Sequence, residues 1–167
     1  MRKSQEFFVC QQGFVVPNAN PHLYSALMLQ PRIIGGVVVI GSVLHSHELF
    51  FLLATVLAWG TIVPSQNLFD AIYNHAIAFP HGFPPLGAAP APRRFAQASA
   101  AIMALAIGLA LVTGTMGIAW ILEGVFVIAA ASAVLRRFCL PAELYYVLRR
   151  RLSPLFGVAT DSASQPC

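Results

Sequence analysis

FAQASAAIMALAIGLALV (95–112), TGTMG (113–117) and IAWILEGVFVIAAASAVL (118–135) follow one another without a break. The first run carries no charge and the last carries one, Glu123. Arg93 and Arg94 precede the first run, and Arg136 and Arg137 close the second, so both open ends are basic and the turn is uncharged. At ~1.5 Å of rise per residue each run covers ~27 Å, close to the ~30 Å hydrocarbon core of a bilayer. Soluble core helices are seldom apolar all round for that long. The runs also lack the alternation of barrel strands, and a backbone in lipid must pair its own polar groups. The stretch reads as a transmembrane helical hairpin.

The rest of the chain agrees. It has 167 residues, 57% hydrophobic and only 10% charged, with a mean hydropathy of +0.72. A soluble domain carries about a quarter charged residues. The length suits one small membrane bundle and no second sizeable domain. The pI near 9.3 raises nucleic acid as a partner, but there is no basic groove with interleaved aromatics. Arginines gathered at helix ends toward one membrane surface account for it.

Upstream, Gln30-Pro31-Arg32 leads into the apolar run 33–44. Twelve residues give only ~18 Å. Arg32 can snorkel, and the helix is free to begin earlier, kinked at Pro31. His45-Ser46-His47-Glu48 then interrupts, and a second run ends at Pro64. One helix over 33–63 would be ~46 Å long with polar residues in its middle, so a second hairpin is the better reading. The expected fold is an all-α membrane protein, a four-transmembrane-helix bundle with short interfacial helices. Its spans are about 31–45, 48–63, 95–113 and 118–137, within a single domain over 1–155.

The remaining segments are short. Phe7 to Cys10 is too brief for a signal-peptide core. Residues 16–21 form a turn-rich break. Residues 22–29, 65–79 and 139–148 read as interfacial helices, the second with Asp70 near its positive dipole end. Residues 80–92 hold five prolines and form an irregular connector. A Ser-rich tail, 156–167, is expected to be disordered.

Orientation follows from charge. With four spans, all ten Lys and Arg residues fall on one side. The positive-inside rule places that side, and both termini, in the cytoplasm of a multi-pass inner-membrane protein.

Four scattered segments carry a resemblance: Gln11-Gln12-Gly13-Phe14, Gln30-Pro31, the run from Pro90 to Ala96, and Arg137-Phe138-Cys139. Together they resemble a family of small bacterial integral membrane proteins known only as a domain of unknown function. The resemblance covers about residues 11–148. It implies a bacterial membrane protein and contributes no activity, substrate or catalytic residue.

Candidate sites are few. Ala96, Ala100, Ala104 and Gly108 recur every four residues along the third span, a stripe that allows close helix approach. It suits a homodimer seam or, more plainly, packing against the fourth or first span of the same chain. Arg93, Arg94, Arg136 and Arg137 gather at the mouth of the main hairpin. They could hold an anion or a lipid headgroup, although topology alone explains them. Cys139, beside two arginines, is a candidate reactive thiol with a lowered pKa. A buried inert cysteine is the plainer reading.

An ionised Glu123 inside a span is costly, so it is expected to be protonated or partnered. His45 and His47 lie on its side of the membrane, and the three could form a metal site. A protonated Glu123 bonded to a neighbouring helix is the plainer reading. There is no nucleophile–base motif, phosphate loop or zinc-protease motif, so no cofactor is implied.

The expected partners are the bilayer itself and a membrane-protein partner or second copy. With so few polar groups in the spans, a non-enzymatic accessory or scaffold subunit is the first functional reading. A small transporter, or a thiol- or redox-linked membrane protein, is the second.

Overall fold

The computed structural model describes residues 3–14 and 21–156, with side chains of 22–152 in the second segment. Every regular element among them is helical. The helices are α1 (Lys3–Gln11), α2 (Pro21–Leu44), α3 (His47–Ile62), α4 (Leu68–Tyr73), α5 (Phe79–His81), α6 (Ala91–Val112), α7 (Met116–Leu135) and α8 (Leu140–Phe156). The expected break over 16–21 and the expected tail fall largely outside the described residues.

Four helices make the bundle. α3 packs most extensively on α6, α6 on α7, α7 on α2 and α2 on α3, which closes a ring. The interior holds Val38 of α2, Phe50 and Leu57 of α3, Ala104 and Ile107 of α6, and Ala119 and Phe126 of α7. The outer faces stay apolar: Ile40, Leu52, Ile102 and Ile128 are all exposed. α2, α6 and α7 are long and apolar enough to cross a membrane, and α3 is apolar but shorter, at 16 residues.

Local chemistry sets the turns. Between α2 and α3, His45 takes a left-handed conformation (φ 48°). Ser46 then caps α3 by accepting from the Leu49 amide at 3.4 Å, as an N-cap hydroxyl does. Between α6 and α7, Gly114 supplies the positive φ of 71°. The hydroxyls of Thr113 and Thr115 donate to the carbonyls of Leu109 (2.9 Å) and Ala110 (3.1 Å), so the end of α6 needs no charge.

Several elements differ from the sequence expectation. α2 starts at Pro21 and absorbs the separate interfacial helix expected over 22–29. Pro31 sits inside the helix, where its missing N–H takes away only one backbone bond. The residues ahead of it are held by packing, since Leu27 and Met28 are buried with Phe8 and Val9 of α1. The helix expected on the membrane surface over 65–79 instead docks on α2 and buries Phe69, Asp70 and Tyr73. It continues through a wide turn at Asn74–Ala78 into α5. The proline-rich connector is pinned by Asn74, whose side chain donates to the Leu86 carbonyl (3.1 Å) and accepts from its amide (2.8 Å). The helix expected to end at 148 runs on to Phe156.

Candidate functional site: a polar clamp and cleft at the basic end of the bundle

Arg93 and Arg94 are neighbours on α6, and consecutive helical residues point about 100° apart. Only one of them can face outward. Arg94 is exposed and donates to the Thr61 carbonyl at 3.1 Å. Arg93 points inward and is 3% exposed. Its guanidinium forms a two-pronged ion pair with Asp70 of α4, one prong at 3.0 Å. It also donates through Nε (3.2 Å) and a terminal nitrogen (2.7 Å) to Oε1 of Gln30 on α2. Such a planar fork matches a carboxylate in a way that lysine cannot. Three elements are tied at one point.

Gln97, one turn further along α6, completes the group. Its Nε2 donates to the same Gln30 oxygen at 3.2 Å. That oxygen already accepts from Arg93, so the Gln97 amide must present its N–H₂ there. Its own oxygen faces the other way. Gln97 is 2% exposed, and its Oε1 has no hydrogen-bond partner among the described residues.

A second set of contacts closes the same end. After α7, Arg137 adopts a left-handed conformation (φ 58°) that stops the helix and redirects the chain. The Cys139 amide then donates to Oε1 of Gln11 at 2.8 Å. Nε2 of Gln11 donates to Glu143 at 3.1 Å, in the first turn of α8. Gly13, at φ +84°, lies so close to Pro90 that a β-carbon there would come within 2.9 Å of the Pro90 Cβ. The segments singled out for their family resemblance, distant in the chain, therefore meet at one place.

Between α2, α6 and α7 these residues enclose a cleft of ≈ 90 Å³. Its polar end is formed by Gln12, Gln30, Arg93 and Gln97, with Cys139 at the rim. Its walls are Ala96, Ala100, Phe126, Ala129, Ala130 and Ala133.

The other expected sites look different in the structure. The four arginines are divided: Arg93 is spent inside on Asp70 and Gln30, and Arg94 on a backbone carbonyl. Arg136 is exposed. Arg137 donates to the Ser4 hydroxyl at 2.8 Å and lies over the Tyr24 ring. The thiol of Cys139 is pushed up by burial, with the Ala142 backbone and the Gln12 side chain pulling it partly back. That is the opposite direction from the activation expected of flanking arginines.

His45, His47 and Glu123 are not assembled into a metal site. Nε2 of His45 accepts from the Trp120 indole at 3.4 Å. Nε2 of His47 lies 3.1 Å from its neighbour Glu48. Glu123 is buried, and its Oε1 has no hydrogen-bond partner among the described residues. Among the described residues no three His, Cys, Asp or Glu side chains are grouped to hold a metal ion.

The small-residue stripe packs inside the chain. Its partner at Gly108 is α3, where a β-carbon would come within 2.8 Å of the Phe51 ring. Ala96 and Ala100 face the cleft instead.

Fold and site together define a class: an all-helical bundle with helices of membrane-crossing length, clamped at one end by a buried ion pair. Residues 28–150 match DUF4395, a domain of unknown function, and the chain belongs to that family. No curated protein and no solved structure matches it.

Proposed function

We propose that the chain is a multi-pass inner-membrane protein, with both termini cytoplasmic, that serves as a non-enzymatic accessory or scaffold subunit. The observation that carries this reading is how the buried polar groups of the basic end are used. Asp70, Arg93 and Gln30 are engaged with one another, tying α2, α4 and α6 together, and Gln11 is engaged with Glu143 and the Cys139 backbone, tying α1 to α8. Groups spent in this way lend rigidity and a fixed shape, whereas a transporter needs polar groups facing a passage that opens to each side in turn. The exposed arginines of α8 and the apolar outer faces supply surfaces for lipid and for a partner protein.

The test is excision of the full-length chain from its native membrane in lipid-retaining polymer particles, followed by mass measurement. The reading predicts a complex of fixed stoichiometry larger than one chain. A lone chain contradicts it, and proton or solute flux through vesicles carrying that lone chain would place the protein among transporters.

A further inference from the structure

We propose that the outer face of α8, together with Arg136 at the elbow that joins it to α7, is a docking surface for anionic phospholipid. This deepens the membrane part of the reading above, on which it rests, and does not depend on the scaffold part.

The argument starts from the two sides of one helix. Ala142 is fully buried, and Tyr145 packs on Phe95 of α6 with ring centroids 5.8 Å apart, so that side of α8 faces the bundle. At about 100° per residue, Leu140, Leu144, Val147, Leu148 and Leu152 fall on the other side, within an arc of ~140°. All five are exposed. Arg150 flanks this arc and Arg151 lies in it at its C-terminal end, both exposed. A broad apolar face bordered by arginines is the pattern of a helix lying in the headgroup layer. The leucines go down among acyl chains, and the arginine stems reach up to the phosphates.

The neighbouring chain favours lipid over a protein partner. α7 is long and apolar enough to cross a membrane and ends at Leu135, and α8 begins at Leu140. Leu135 is 78% exposed, and Arg136 beside it is exposed. The leucine face of α8 therefore follows directly on the end of a crossing, with a cation between them. Charge then selects the lipid. Among the described residues no carboxylate pairs with Arg136, Arg150 or Arg151. Glu143, on α8 itself, accepts from Gln11, and Asp70 is taken by Arg93. Each arginine near an anionic surface is worth about fivefold in affinity. A zwitterionic headgroup brings its own ammonium and forfeits most of that gain.

The experiment has two arms, both on the full chain. In native membranes, Leu144→p-benzoylphenylalanine places a photoreactive group on the apolar face, and the adduct formed on irradiation is identified by mass. The expected adduct is a phospholipid. In detergent, native mass spectrometry compares phosphatidylglycerol with phosphatidylcholine of the same acyl chains. The chain is expected to hold phosphatidylglycerol at least about tenfold more tightly. Combining Arg136→Gln, Arg150→Gln and Arg151→Gln should cut that preference several-fold. Arg94→Gln, at an exposed arginine of the same end, controls for total charge and should leave it unchanged. Glycerol phosphate, the same anion without acyl chains, should not compete.

A protein adduct at position 144, or no adduct, overturns the proposal, since the face then belongs to a partner or to water. So does a lipid preference that the triple variant leaves intact. Competition by glycerol phosphate overturns it as well, because the arginines are then a site for any phosphate. If alkaline carbonate releases the chain from membranes, the multi-pass reading falls and this one with it. Loss of the lipid preference in a chain that stays in the membrane overturns this proposal alone.

Discussion

Arg93 and Arg94 share a charge and a position in the chain, yet they differ in every physical respect that matters. Arg93 is desolvated, and its charge is tolerable only because Asp70 and Gln30 answer it. Removing one member of a buried pair strands the other, at about 3–5 kcal/mol. Arg93→Met and Asp70→Leu are each expected to destabilise the chain by that amount, measured by reversible unfolding in mixed micelles. The double variant should recover much of the loss, because no charge is then left buried. Arg94→Ala, at the surface, should stay within ~0.5 kcal/mol. Similar losses for Arg93 and Arg94 would mean that the clamp is not a buried pair.

Cys139 is the second residue whose chemistry depends on its surroundings. The thiolate is the reactive form, and burial raises the thiol pKa. Alkylation at neutral pH should therefore run slower than at an unperturbed thiol. The rate should climb with pH through a range above the usual thiol one. Fast alkylation at neutral pH would contradict this environment. The division of labour between the arginines could not be read from the sequence, because adjacent arginines look alike on paper. A buried cysteine was one of the two sequence readings, but its neighbours Gln12 and Ala142 reach it only once the chain has folded.

At the scale of elements, α6 is the helix on which the others are set. It packs on α3, α7 and α8 and carries Arg93 and Gln97. Its inner face is lined by small residues because α3 comes close, above all where Phe51 lies against Gly108. Ala104→Leu and Gly108→Leu are expected to lower stability by about 1–3 kcal/mol through overpacking. Ile102→Leu, on an exposed position, should be nearly neutral. Equal sensitivity on both faces would contradict the observed packing.

The main hairpin was legible because an uncharged run of full span length admits few alternatives, and its turn follows local chemistry. The start of α2 was legible only as two alternatives, a helix that starts at Pro31 or one that begins earlier and passes through it, and the packing of Leu27 and Met28 on α1 goes with the second. The apolar run after Ser46 forms a helix, α3, but its partner on α6 was not foreseen, because apolar faces do not announce which neighbour they fit. The docking of α4 was equally hidden. Asp70 looked like a residue suited to a helix start, and its partner lies 23 positions away.

For the whole molecule, the proposal is a bundle of four crossings with the clamp and cleft at the cytoplasmic end. All ten basic residues then lie on one side, and the turns after α2 and α6 on the other. α3, at 16 residues and ~24 Å, is the crossing that most needs a direct test. The measurement is labelling of single cysteines in intact cells with a membrane-impermeant maleimide, on a background with Cys10, Cys139 and Cys167 changed to serine. Ser46→Cys and Thr115→Cys should both react from outside, and Ser162→Cys only after the membrane is opened. Labelling of Ser162→Cys in intact cells, or protection of Ser46→Cys while Thr115→Cys reacts, would contradict the four-crossing account.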